Sequence, residues 1–270
     1  MGIAVRRRYE IPQDALTWEP SERWIRGTKN GVTVVDSRRA VLVWEPGIPI
    51  PSYAFPRDDV RTDLLRPASA PAAGAHPGSD AQFDLAVDGE VLPNLAWSFE
   101  DEALSGLLAF SWFRRAEPGL DHWYEEDEEI FQHPRNPFKR VDALRSTRHV
   151  RVEINGVEVA DTRAPVLVFE TGVPTRYYIP RADVRFDLLA PVELSTICPY
   201  KGTASDYWSW AGPGEAAPNL AWSYPDPLPA VQAVTGHVAF YNEVVDTFVD
   251  DRLIDRPGVG LTRQIATSKP

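Results

Sequence analysis

The residues best suited to chemistry in this chain stand together in one short segment, Cys198-Pro199-Tyr200-Lys201-Gly202. Cys198 is the only cysteine, and Lys201 is one of four lysines against 24 arginines, so a lysine here departs from the chain's usual choice of cation. A lysine whose pKa is lowered by burial can act as a base or Schiff-base nucleophile, which arginine cannot readily do. A cysteine three residues from a cation can become a reactive thiolate, the plain alternative being an inert buried thiol beside a surface lysine. On this reading Cys198 is the nucleophile or acid–base group, Lys201 its electrostatic or basic partner, and Tyr200 the third member of the catalytic set. Tyr177, Tyr178, Trp208 and Trp222 are expected to wall a pocket with apolar and hydrogen-bonding surface. Arg185 and Asp187 would brace it from behind, and Glu170, at the end of an apolar run, would either aim a carboxylate into the cleft or hydrogen-bond to a turn. His133, stiffened by Pro134 and Pro137, would fold over it, the plain alternative being a linker histidine.

Other chemistries find less support. The five histidines show no H-x-H, H-x-x-x-H or H-E-x-x-H spacing and there is no C-x-x-C, so no metal is expected. A G-x-S-x-G elbow is absent, as are the P-loop and G-x-G-x-x-G fingerprints, and no organic cofactor is implied. Gly78-Ser79 followed by Asp80, Asp84 and Asp88 superficially suggests a nucleotidyltransferase metal site. It lies in an alanine- and proline-rich stretch and is kept only as a minor alternative.

The elements that position these residues come from a duplication. Gly31–Pro49 lies over Gly156–Pro174 with 11 identities in 19, and Phe55–Pro67 over Ile179–Pro191 with 9 in 13. Pro93–Ser98 recurs unchanged as Pro218–Ser223. Order and spacing match throughout, which marks a tandem repeat. Each copy opens on a hairpin signal, Asn30-Gly31 or Asn155-Gly156 between alternating segments, suited to a type I′ turn. Apolar runs (41–44 and 166–169), a tyrosine-rich strand at 177–179 and strands near 206–210, 219–223 and 237–241 follow. Val184 and Leu188, four apart, predict one or two helical turns over 183–189. The fold expected is mainly β: two homologous domains of antiparallel sheets with short helices, packed on each other as a pseudo-dimer. The boundaries are 1–113 for a degenerate first repeat, 114–148 for an acidic, proline-containing linker, 149–250 for the second repeat and 251–270 for a loosely held tail.

The copies also control for one another. Residues in both, among them Glu45/Glu170, Arg61/Arg185, Asp63/Asp187, Asn94/Asn219 and Trp97/Trp222, are expected to serve the fold. The Arg–Asp pairs read as buried paired charges and the tryptophans as core anchors. The Cys-Pro-Tyr-Lys-Gly run has no counterpart in the first copy, which reads Ala68 to Asp80 there.

Asn155-Gly156, Glu170-Thr-Gly-Val-Pro174, Tyr177-Tyr-Ile-Pro180, Asp183 to Leu189, Cys198 to Gly202 and Ala221 to Pro229 together resemble the domain of unknown function 427 family. The resemblance spans the second copy, roughly 149–250, and is weaker in the first. It implies a compact β-rich domain with a pocket lined by the Tyr, Cys-Pro-Tyr-Lys and Trp segments, and it implies no established activity. A nucleotidyltransferase-like label sometimes attached to the family finds little support in these residues.

Composition sets the remaining bounds. A formal net charge of −11 on 270 residues argues against coating nucleic acid or anionic membranes. No apolar run reaches the ~18 residues of a membrane span, and Arg6–Arg8 are followed by no apolar stretch of the secretory kind. With a single cysteine, this fits a cytoplasmic protein. The function expected is an enzyme acting on a small organic metabolite in the second copy's pocket. The alternative is a non-catalytic module that binds a small molecule or peptide.

Overall fold

The computed structural model describes residues 14–48, 50–112 and 119–257. Most of the tail expected to lie loosely, from 258 on, falls outside them, as does Pro49 of the first copy's turn. The chain divides into two compact units at Asn136/Pro137.

Each unit repeats one plan, and both are mainly β. In the first, a seven-stranded sheet runs Thr17–Pro20, Val41–Trp44, Ser52–Pro56, Leu107–Phe110, Glu90–Phe99, Ser79–Val87, Leu65–Pro67 from edge to edge. A four-stranded sheet runs Glu128–Glu129, His122–Glu125, Ile25–Lys29, Val32–Ser37. In the second unit the large sheet runs Val141–Arg145, Val166–Glu170, Val173–Pro180, His237–Phe240, Ala221–Ser223, Asp206–Trp210, Leu189–Val192. Its small sheet runs Val157–Thr162, Val150–Ile154, Asp246–Val249, Arg252–Leu253. The second unit adds one element, the hairpin Thr196–Cys198 with Gly202–Ala204.

Local chemistry explains the elements. Asn30-Gly31 and Asn155-Gly156 all have φ between 51° and 75°, the left-handed pair that closes a two-residue hairpin without splaying its strands. Val150–Ile154 alternates buried and half-buried residues, as a strand with one face on a core must. The helical turns near 183–189 are 3₁₀ turns, Arg181–Asp183 and Phe186–Leu188. Each is followed within a few residues by extended backbone, so no longer helix develops.

The segment read as a linker, 114–148, is divided between the two domains instead. His122–Glu125 pairs with Ile25–Lys29 and completes the first unit's small sheet, while Val141–Arg145 pairs with Val166–Glu170 as an edge of the second unit's large sheet. Its acidic residues disguise this: Glu125 is buried and takes Arg23 and the Tyr53 hydroxyl, while Glu126, Asp127 and Glu128 sit on the surface. A charge run normally signals solvent, but here one carboxylate in it closes a buried polar cluster.

In the second domain the two faces of the large sheet have different tasks. Ile179, Trp208, Leu220 and Val238 pack against Val150, Val152, Ile154 and Val159 of the small sheet, forming the sandwich core. Tyr178, Tyr207, Trp222 and Tyr241 point the other way, with Val166 and Val168, under Ala204 of the extra hairpin and Val234 of the 3₁₀ segment Pro229–Val234. That second face carries the site.

Among the described residues, no helix is long and apolar enough to cross a membrane.

Candidate functional site: a tyrosine-lined cavity in the second domain

The site is built on one row across the sheet. Val166 stands opposite Tyr178, Tyr178 opposite Ala239, Ala239 opposite Trp222 and Trp222 opposite Tyr207. Ala239 is the small member of the row, and across it the Tyr178 hydroxyl accepts a hydrogen bond from Trp222 Nε1 at 3.2 Å. Two residues along the same strand face, as period-2 alternation requires, Arg176 joins Tyr178. The cavity, about 30 Å³, is lined by Val168, Glu170, Val173, Arg176, Tyr178, Thr196, Lys201, Tyr207, Trp222, Tyr224 and Tyr241.

Charged groups enter from two sides. Arg176 is buried and gripped at both nitrogens by Glu243, at 2.6 Å each, and by Asn242. Its guanidinium carbon lies 5.5 Å from the Tyr241 ring and 5.7 Å from the Trp222 ring, within cation–π range. Lys201 comes down from the tip of the extra hairpin and pairs with Glu170, whose other oxygen accepts from Lys139 Nζ at 2.8 Å. Burial would raise the Glu170 pKa, but Lys201 and Lys139 outweigh it and hold the carboxyl below its usual range. Burial would lower the Lys201 pKa, but Cys198, Glu170 and Tyr178 beside it push it up. Lys201 is therefore held as a cation against Glu170. Burial also raises the pKa of Tyr178 and Tyr224, so both remain neutral phenols.

The expected site residues divide accordingly. Glu170, Tyr178, Lys201 and Trp222 meet around the cavity. Tyr177 and Trp208 belong to the opposite face and the sandwich core, as any strand neighbours of Tyr178 and Tyr207 must. Arg185 and Asp187 pair at 2.8 Å on the surface, each more than half exposed, so the pair neither braces the cavity nor is buried. Its counterpart Arg61–Asp63 is likewise exposed. Cys198 is half-buried at the end of its strand and outside the cavity lining. Tyr200, at the hairpin tip, has Lys139 Nζ 5.5 Å from its ring centre. His133 lies in the first unit, where its Nδ1 donates to the Pro134 carbonyl at 2.8 Å.

The sequence reading missed Arg176, Glu243, Tyr207, Tyr224 and Tyr241. Alternation could have found Arg176 once Tyr178 was chosen, and Tyr207 in place of Trp208.

Residues 17–125 and 142–251 each match the family model described as a domain of unknown function (DUF427). The chain belongs to the DUF427 family. A comparison with curated protein sequences gave no match.

The two DUF427 domains differ at the cavity. Register places Ala54 at the position of Tyr178, each opposite an alanine that in turn faces a tryptophan. By the same alignment Ser52 replaces Arg176 and Phe99 replaces Tyr224. Glu45 keeps the carboxylate of Glu170, but its partner is His76, whose Nδ1 lies 3.2 Å from Glu45 Oε1 and whose ring stacks on Trp97. In the first DUF427 domain, then, a histidine fills the space over the shared tryptophan. The acidic trio there is structural: Asp84 accepts from the backbone of Asn94 and Ser69, Asp80 pairs with the Ser98 hydroxyl, and Asp88 with Gly89 turns a hairpin at positive φ.

Proposed function

We propose that the second DUF427 domain binds a small organic molecule in the cavity beneath the hairpin Thr196–Cys198/Gly202–Ala204, and that the first domain does not. One observation carries this reading. The polar lining that only the second domain has, Arg176, Tyr178, Lys201 and Tyr224, converges on one cavity with a tryptophan wall. Buried polar groups are costly unless they are paired, so several kept around open space favour a ligand over a purely structural role.

A catalytic variant of this reading rests on Cys198, whose sulfur lies in the electrostatic neighbourhood of the fixed Lys201 cation. In that variant the Cys198 sulfur bonds to the carbonyl carbon of an acyl ligand in the cavity mouth as the ligand's alkoxide or thiolate leaves, the thiol proton passing to that leaving group.

The test is a thermal-shift screen of the full chain against small organic metabolites, run in parallel on Tyr224→Phe and Cys198→Ala. A ligand at 100 times its dissociation constant adds about 2.7 kcal/mol. Hits that weaken in Tyr224→Phe and persist in Cys198→Ala support binding. Rapid alkylation of Cys198 by iodoacetamide, blocked by the same ligand, supports the catalytic variant. A flat screen on folded protein removes both.

A further inference from the structure

We infer that the ligand of this cavity is a short-chain organic carboxylate, received as a monoanion by Lys201, Tyr224 and Tyr178. The inference rests on the binding reading above and adds the chemical class.

The first argument is a count of donors and acceptors. The Tyr224 side chain is buried in the cavity wall, and its hydroxyl meets no hydrogen-bond partner among the described residues. The Tyr178 hydroxyl accepts from Trp222, and its own proton has no acceptor among the described residues. Lys201 has three N–H groups, one of which goes to Glu170. The carboxylates, by contrast, are occupied: Glu170 by Lys139 and Lys201, Glu243 by Arg176 at both oxygens. Unused donors face the space and occupied acceptors surround it, so the molecule that completes it must bring acceptor oxygens.

Charge gives the second argument. Lys139, Arg176 and Lys201 carry three positive charges against two on Glu170 and Glu243. The cluster has one uncompensated positive charge inside a chain whose net charge is −11. The enclosed pairs balance and the extra cation, Lys139, is partly exposed, so the cluster as a whole is neutralised by a monoanion, whereas a phosphate dianion would leave it negative.

The walls give the third. Val168, Val173 and the Trp222 ring offer apolar surface on the same cavity, which suits carbon attached to the anionic head and disfavours a bare inorganic ion or a polyol. The cavity is small, about 30 Å³, which favours a short chain.

Isothermal titration of the full chain with propionate, propionamide, propylamine and inorganic phosphate tests this. Propionate should bind at one site per chain, with propionamide weaker by about tenfold, the usual size of a lost charge-assisted hydrogen bond. Tyr224→Phe should weaken propionate several-fold with an unchanged melting temperature in the absence of ligand. Lys201→Met should abolish the preference for propionate over propionamide. If that variant fails to fold, the preference in wild type and the several-fold weakening of propionate in Tyr224→Phe decide. Propionamide binding as tightly as propionate, or phosphate binding more tightly, overturns the carboxylate assignment while leaving the cavity a binding site. If none of the four probes binds to folded protein and the metabolite screen is also flat, both readings fail.

Discussion

Arg176 and Glu243 meet in the interior of the second domain through two parallel contacts, Nη1 to Oε2 and Nη2 to Oε1, each 2.6 Å. The Glu243 side chain is fully shielded from solvent and that of Arg176 nearly so. Breaking such a pair from one side leaves a buried charge alone, which costs about 3–5 kcal/mol, whereas replacing both partners by apolar groups is often neutral. Arg176→Met is therefore expected to lower stability by several kcal/mol in urea denaturation, and Arg176→Met with Glu243→Leu to recover most of the loss. Equal destabilisation by the single and double variants would show that the pair does more than neutralise itself.

Glu170 makes the stability of the second domain depend on acid. Its pKa is held below the ordinary 4.5 in the folded chain. A carboxylate depressed on folding contributes stability above the unfolded-state value, and that contribution is lost as pH falls toward the folded one. Glu170→Gln should cost about 3 kcal/mol at pH 7 by leaving Lys201 buried without its counter-ion. The gap between variant and wild type should shrink as pH drops below 4.5. A gap that is constant from pH 7 to pH 3 would contradict the ion pair.

His76 plugs the first domain. Its ring is 3.4 Å from the Trp97 ring by centroids and nearly parallel to it. Removing a packed side chain of this size costs about 2–4 kcal/mol when the site cannot collapse. In His76→Ala the space over Trp97 and beside Glu45 should accept free imidazole, which would raise the melting temperature of the variant and not of wild type. If imidazole has no effect on the variant, the space has collapsed or the ring was never its filling.

Gly27 is a sequence position with no slack. A Cβ there would come within 2.7 Å of the Trp123 ring, which crosses over it from the paired strand. Gly27→Ala should destabilise the first domain by about 1–3 kcal/mol, the usual cost of overpacking. The corresponding Val152 in the second domain faces Thr247 and tolerates a branched side chain, so the penalty belongs to one copy only.

Much of the architecture is legible in the residues. The offset identities mark two domains, Asn155-Gly156 and its partner mark their opening hairpins, and Glu170 and Lys201 stand out by position and by rarity. The site is less legible, and Tyr177 and Tyr178 show why. Both were expected to line one pocket, yet strand neighbours point to opposite faces, and only Tyr178 reaches the cavity. The same holds for Tyr207 against Trp208. The acidic segment 125–129 misled for a different reason: carboxylates look alike in sequence whether they face solvent or, like Glu125, close a buried cluster from a strand.

The sequence by itself determined the duplication, the β-rich class and the opening turns, because these follow from local backbone preference and from repetition along one chain. Only the tertiary structure decided which face of the large sheet packs on the small one. Alternation groups Tyr178 with Arg176 and Ile179 with Tyr177, but it does not say which group is covered. Nor does it bring Glu243, 67 residues away, onto Arg176. That choice depends on how distant strands pair, on the small Ala239 that lets Tyr178 and Trp222 meet, and on the extra hairpin that carries Lys201 down over them. These are long-range packing relations, and no local pattern encodes them.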